Sequence, residues 1–471
     1  MSVPFGVRDA IAWTGGRLVG GDPDTGFRGA GIDTRTIGAD ELFVAIRGER
    51  HDAHGFLSQA VSAGATGLIV DEAYVAGGDT LPAVAVIAVE DTTVALGALA
   101  AGHRAGFSGP VVAITGSNGK TTTKEMCHAI LAVGAPSLKT RGNLNNEFGL
   151  PLTLLSREPE HVSAVVELGM NHRGEIARLT AIARPDVGIV TNVGTAHIGH
   201  LGSRENIALE KGDLVAGLGA DGVAVLNADD PLVDAQAERV AARVLRFGLS
   251  ERADVRATDV RFDGDGAFVF TLIAPDGRSE VRVAGLAETT VPNALAAAAG
   301  ALAAGADLAQ VAEGLARFEQ VAGRMACRSL PGGAHVIDDT YNANPQSMRA
   351  ALESLARLKG SGRAIAVLGD MGELGDEADE AHRGVGRLAA ELGVDALWAL
   401  GERAGSVVDG ALEAGAGADH CAVGRDHEQV ALAIGEDLLA QDWVLVKGSR
   451  AMQMERVVAR LSGPPTDEET D

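Results

Sequence analysis

The stretch Thr115-Gly116-Ser117-Asn118-Gly119-Lys120-Thr121-Thr122 follows the apolar run Val111 to Ile114 and leads into a helical pattern from Thr121 to Ala132. A glycine-rich turn between a buried strand and a helix suits phosphate binding. Glycine lets the backbone approach a phosphate closely, and the free N–H groups of the helix start point at the anion. Lys120 can then reach the terminal phosphates, and the Thr121 hydroxyl can bind Mg²⁺. Spacing narrows the reading. The common phosphate loop has a glycine five residues before its second glycine; here that position is Ile114, so the loop is the shorter G-x-x-G-K-T.

Other polar residues stand at the ends of apolar runs. Glu167 follows Val162 to Val166, at the edge where open α/β sheets place ligand-binding groups. A carboxylate there suits Mg²⁺, a hard cation that prefers oxygen. Thr191 to His197 follows Val187 to Val190 and ends in a histidine. Of the 40 basic residues only six are lysine (Lys120, Lys124, Lys139, Lys211, Lys359 and Lys447). Where arginine fills the surface role, each lysine is a candidate for chemistry that a guanidinium cannot do. No Ser-His-Asp pattern or reactive-cysteine motif stands out.

The elements expected to hold these residues fall into three groups. In the first, strands at Leu42 to Ile46, Thr66 to Val70 and Ala83 to Val89 alternate with helices at Phe56 to Ala63 and Thr93 to Arg104, a small α/β unit. The second starts after Gly106 to Pro110 and adds a strand at Val223 to Leu226. Asp-Gly turns between Ala253 and Val283 predict hairpins, and an Ala-rich helix runs from Asn293 to Ala304. Near Gly323 the pattern restarts, with strands at His335 to Ile337, Ala364 to Leu368, Ala396 to Leu400 and Trp443 to Val446. That third group is doubly wound in style. The expected domains are 1–104, 105–322 and 323–462, followed by a disordered acidic tail, 463–471.

Composition sets limits. The 471 residues carry a net charge of -24 and 46% hydrophobic residues, which argues against a nucleic-acid or anionic-membrane binder. No run is long enough to span a bilayer, and Met1 to Ala10 lacks the pattern of a signal peptide. Cys127, Cys327 and Cys421 form no CxxC pair, so a reduced, cytoplasmic setting is expected.

The T-G-S-N-G-K-T form resembles the Mur ligase and folylpolyglutamate synthetase superfamily, whose members make amide bonds through acyl phosphates. Further strings are similar to the Mur ligases that add D-alanyl-D-alanine to UDP-N-acetylmuramoyl-tripeptide. They are Gly31 to Thr36 with Glu41 to Glu49, Lys139 to Asn146 with Gly149 to Thr153, Glu167 to Ile176, Glu205 to Asp213, Asp338 to Pro345, Gly369 to Gly375 and Lys447 to Arg450. The resemblance implies a three-domain α/β architecture, with a central, mostly parallel sheet bearing the phosphate loop and a Rossmann-like C-terminal domain. It implies ATP and Mg²⁺ as cofactors, with Gly116, Ser117, Asn118, Gly119, Lys120, Thr121, Thr122, Asn293, Arg324 and Asp339 around the nucleotide. Thr121, Glu167, His197 and a carbamylated Lys211 are the implied metal ligands; Lys120, Glu167, His197 and Lys211 are the implied catalytic set. Thr34, Arg35, Asn143, Asn145, Asn146, His172, Tyr341 and Asn344 are the implied substrate contacts. A monomer acting on soluble substrates, without nucleic acid or membrane insertion, is expected. The chain departs from the family pattern at Glu288 to Pro292, where a Gly-x-His is common, and at Asp52-Ala53-His54, where Asp-Gly-His is usual. The rival readings are a sister amide ligase of the superfamily, a motion-coupled phosphate-loop NTPase and a silent nucleotide-binding partner. The Gly142-Asn143-Leu144-Asn145-Asn146 string, the short loop and the intact polar set argue against them in turn.

Overall fold

The computed structural model describes residues 2–48, 51–78, 80–264 and 266–463; the expected acidic tail, from 464 on, lies outside the described residues. Val111–Thr115, Ser163–Glu167, Val187–Val190 and Val223–Asn227 are almost wholly buried, as expected of apolar runs covered on both faces by crossover helices. They are four adjacent strands of a nine-stranded sheet, one strand in from its Ser137–Lys139 edge. Pairing is parallel from Ser137–Lys139 through Ser163–Glu167, Val111–Thr115, Val187–Val190, Val223–Asn227 and Arg243–Gly248 to Val255–Phe262. Ala267–Ala274 and Gly277–Ala284 then add antiparallel hairpin strands, as the Asp-Gly turns predict.

A five-stranded sheet precedes it. Leu42–Val44, Gly67–Asp71 and Ala85–Val89 pair in parallel, and Arg17–Gly20 runs antiparallel at one edge. A six-stranded sheet follows, parallel from His335–Asp339 through Trp443–Lys447 and Ala364–Gly369 to Ala396–Leu400 and Cys421–Val423, with Ala326–Ser329 antiparallel at one edge.

Two element boundaries differ from expectation for identifiable reasons. The helix expected over Phe56 to Ala63 is a 3-10 turn, Ala53–Phe56, followed by a helix, Leu57–Ala63. Asp52 starts the turn early by accepting the His54 N–H at 3.0 Å. The Ala-rich helix begins at Thr290, so Asn293 lies in its first turn rather than at its opening. Pro292 fits there because first-turn N–H groups have no partner within the helix.

One face of the central sheet shares a continuous apolar core with the N-terminal sheet, running from Phe5 and Leu99 to Leu154 and Leu179. The other face packs against the Ala-rich helix. The C-terminal sheet has separate cores on its two faces.

Candidate active site

The loop after Val111–Thr115 is shaped by its glycines. Gly116 has φ +154°, and a Cβ there would sit 1.8 Å from Thr191 Oγ1. Gly119 has φ +80°, and its Cβ would sit 2.2 Å from Asn293 Oδ1. Any other residue would strain the backbone and expel a neighbour. The loop is then laced to the Thr191–His197 segment. Ser117 N–H donates to the Asn192 carbonyl at 3.0 Å, Asn118 N–H to Asn192 Oδ1 at 2.9 Å, and Gly194 N–H to Ser117 Oγ at 2.8 Å. Lys120 Nζ donates to the Gly116 carbonyl at 2.7 Å. Burial pushes the Lys120 amine below its usual range; Glu167 counters this and Arg324 adds to it.

Glu167, buried at its strand end, is held on both carboxylate oxygens. Thr121 Oγ1 donates to Oε2 at 2.9 Å, and Asn145 Nδ2 donates to Oε1 at 2.8 Å. Its own N–H donates to Thr140 Oγ1 at 3.0 Å. Carboxylate and hydroxyl thus converge as an oxygen pair beside the phosphate loop. Among the described residues no three His, Cys, Asp or Glu side chains cluster as a metal cage. An oxygen pair of this kind fits Mg²⁺, which keeps several waters and phosphate oxygens and takes few protein ligands.

Lys211, on the helix Arg204–Ala216, is 1% exposed and lines the same cleft. Burial first, and the Lys120 charge second, hold its amine well below the usual lysine range, with Glu210 opposing. His197 sits at φ +64°, and its Nδ1 lies 2.5 Å from Glu373 Oε2 on the C-terminal sheet's side of the cleft.

That side contributes further. The Arg324 guanidinium stacks 3.8 Å from the centroid of the Tyr341 ring and donates to Thr121 Oγ1 at 3.2 Å, leaving its buried Nε without a hydrogen-bond partner. Asp339 pairs with the buried Lys447 at 2.6 Å, and Lys447 also donates to the Asn342 carbonyl at 2.8 Å. Asn344 caps the helix Pro345–Leu358 and reaches Asn118 Oδ1 at 2.8 Å.

The cleft between the two sheets has a volume of about 1070 Å³. It gathers residues from Ser117 through Thr122, together with Asn143, Asn145, Asn146, Glu167, His197, Lys211, Asn293, Arg324, Asp339, Tyr341 and Asn344. Three expected substrate contacts are not among its walls. Thr34 and Arg35 lie on the N-terminal sheet's unit, where the Arg35 guanidinium grips Asp33 and holds that carboxyl at about 2. His172 is exposed and 3.1 Å from Glu175 Oε1. Sequence reasoning passed over Asp230, whose Oδ2 accepts the Val193 N–H at 2.7 Å, and Asn227, whose amide donates to the Thr191 carbonyl at 2.9 Å. Asp230 before Pro231 is a helix-start signal that could have drawn attention to that turn. Gln346, which accepts from Asn118 Nδ2 at 3.3 Å, carried no such signal.

Residues 114–301 match the Mur ligase middle domain and residues 323–450 the Mur ligase glutamate ligase domain. That defines the class: a ligase with its phosphate loop on the central sheet and a second domain facing it. The UDP-N-acetylmuramoyl-tripeptide--D-alanyl-D-alanine ligase of Escherichia coli is 38% identical over 91% of this chain and 92% of its own. A crystal structure of MurF from Acinetobacter baumannii superposes with a TM-score of 0.88 at 35% identity, covering 98% of this chain and 99% of that one. MurF from Thermotoga maritima in complex with ADP gives a TM-score of 0.79 at 29% identity over 92% and 96% of the two chains. The chain belongs to the Mur ligases, in the family of UDP-N-acetylmuramoyl-tripeptide--D-alanyl-D-alanine ligases.

Proposed function

We propose that this chain joins D-alanyl-D-alanine to UDP-N-acetylmuramoyl-tripeptide at the expense of ATP, in peptidoglycan precursor synthesis. The observation that carries the proposal is the convergence on one cleft of the short phosphate loop, the Thr121–Glu167 oxygen pair and Arg324 from the facing sheet.

The chemistry follows from placement. The tripeptide carboxylate oxygen attacks the γ-phosphorus of ATP, the bond to the bridging oxygen breaks, and ADP leaves. The D-alanyl-D-alanine amine then attacks the acyl carbon, phosphate leaves and the amine loses a proton. Lys120 swings from the Gly116 carbonyl to the moving phosphate, and the loop's N–H groups share its charge. Arg324, held flat on Tyr341, brings a second cation from the opposite wall. Thr121 and Glu167 would hold Mg²⁺, which when bound neutralises charge on the phosphates.

Lys211 is the residue we assign as carbamylated. Burial lowers its basicity and so favours the neutral amine, the form whose lone pair can attack CO₂ and release a proton. The product is a carbamate with two oxygens and reversed charge, suited to a second Mg²⁺ beside His197. The division at 1–104, 105–322 and 323–462 belongs to the same proposal, as does a cytoplasmic monomer; among the described residues no helix is long and apolar enough to cross a membrane. The test is ADP release with Mg²⁺, expected only when both the UDP-linked tripeptide and D-alanyl-D-alanine are present. Rapid ADP release without either would overturn the reading.

A further inference from the structure

The helix Arg204–Ala216 buries two consecutive charged residues, Glu210 at 5% and Lys211 at 1% exposure, while Leu209 beside them is 51% exposed. That inverts the usual amphipathic order, and a buried carboxylate is costly unless it is held. Glu210 is held on both oxygens. Gly174 N–H donates to Oε2 at 2.8 Å, and Ile176 N–H donates to Oε1 at 3.0 Å. These groups open the helix Glu175–Ala183, whose N-cap is Gly174, at φ +84° and without a side-chain cap. A serine or aspartate at the cap would satisfy such N–H groups locally. Here the acceptor instead comes from another helix, 34 to 36 residues along the chain.

The consequence is a mechanical link. One turn of one helix presents Lys211 to the cleft and Glu210 to the segment Gly169–Glu175. Within that segment Asn171 N–H donates to Glu175 Oε2 at 2.7 Å, and Asn171 and Glu175 both line the cleft. Gly169 packs against Asn145, the partner of Glu167: a Cβ on Gly169 would meet the Asn145 side chain at 2.8 Å. The turn of the phosphate loop has contacts of its own besides this link, to the Thr191–His197 segment and to Asn293.

We infer that Glu210 is a positioning residue for the peptide substrate: acting through the Gly169–Glu175 segment, it sets the half of the cleft that receives the tripeptide carboxylate more strongly than the half that holds the nucleotide. The inference rests on the function proposed above. It predicts that Glu210→Gln, which keeps the shape but removes the charge from a doubly bonded acceptor, weakens UDP-N-acetylmuramoyl-tripeptide binding by about tenfold. Calorimetry in the presence of a saturating non-hydrolysable ATP analogue and Mg²⁺ reads this. The analogue's own Kd should shift less, by about twofold, because the turn of the phosphate loop is also held by the separate Thr191–His197 segment. Amide exchange at residues 171–176 should quicken in the same variant without ligand. If Glu210→Gln does not fold, Glu210→Asp, with the charge drawn back by one methylene, is expected to show the same selective loss. Unchanged tripeptide binding, or equal weakening of both ligands, would overturn the inference and leave Glu210 a plain structural cap. A wild-type chain that binds the ATP analogue but not the tripeptide would instead bring down the functional reading, and this inference with it.

Discussion

The central sheet meets its two neighbours in different ways. Towards the N-terminal sheet the junction is a shared apolar core. The helix Thr92–Ala105 lies against the helices Gly149–Leu155 and Glu175–Ala183. Its penultimate residue, Arg104, is buried and donates from each of its three side-chain nitrogens: to the carbonyls of Phe107 at 2.7 Å and of Ala183 and Arg184 at 3.0 Å, and to Asp186 Oδ2 at 3.0 Å. Towards the C-terminal sheet the junction at the cleft is made of separate polar links: Arg324 to Thr121, Asn344 and Gln346 to Asn118, and His197 to Glu373. Away from the cleft, Arg357 covers Phe262 and donates to the Leu286 carbonyl. One junction is built like a domain interior and the other like a transient interface. The difference teaches where motion is cheap. The bonds of the polar junction can be remade with water, whereas those of the apolar junction cannot.

Breaking the rigid junction should have the largest effect. Arg104→Ala leaves the carbonyls of Phe107, Ala183 and Arg184 without their donor and Asp186 without its cation, and the expected loss of stability is about 3 kcal/mol. A fall in the urea midpoint at unchanged m-value checks this, and an unshifted midpoint would show that the junction is looser than its bonds suggest.

Lys211 separates the chemistry of the frame from its rigidity. Lys211→Ala should lower turnover by about a hundredfold or more while keeping the fold, and acetate should partly restore it by supplying carboxylate oxygens. Lys211→Arg should not rescue, since a guanidinium does not form the carbamate. An arginine variant with full activity would show that positive charge suffices there.

The smallest effect belongs to the polar junction. Asn344→Ala removes one interdomain hydrogen bond while Pro345 still starts its helix. Turnover should fall by up to about tenfold, from about 0.5–1.5 kcal/mol of lost closure, and loss of the Asn344 cap on its helix should lower stability by about 1 kcal/mol. A stability loss well beyond that of a helix cap would mean that this junction also behaves as core.

Much of this was legible in the sequence because apolar runs end where the site begins. Val187–Val190 and Ala396–Leu400 were bounded correctly, and polar residues at the strand ends, Glu167 above all, came together in the cleft. Local signals also sufficed for the loop, since Gly116 and Gly119 are needed where backbone conformation and space admit no Cβ. Burial of charge was not legible. Three of the six lysines, Lys124, Lys211 and Lys447, are buried to 1% exposure or less, although hydropathy places lysine outside. Leu209 and Glu210 trade their expected places for the same reason: long-range packing and a distant helix start decided the face, not the periodicity of the segment. Nor could the sequence pair Asn118 with Asn344, 226 positions away, because that contact depends on how two sheets face each other.

The most direct measurement is turnover of Lys120→Ala in the full assay with ATP, Mg²⁺, the UDP-linked tripeptide and D-alanyl-D-alanine. Lys120 is the cation placed by the loop to meet the terminal phosphates, and charge-stabilising groups of this kind are worth about 10²–10³ in rate. The account predicts a loss of that size in a protein with the wild-type circular dichroism spectrum and urea midpoint. Near-normal turnover would contradict the assignment of the loop as the seat of phosphoryl transfer.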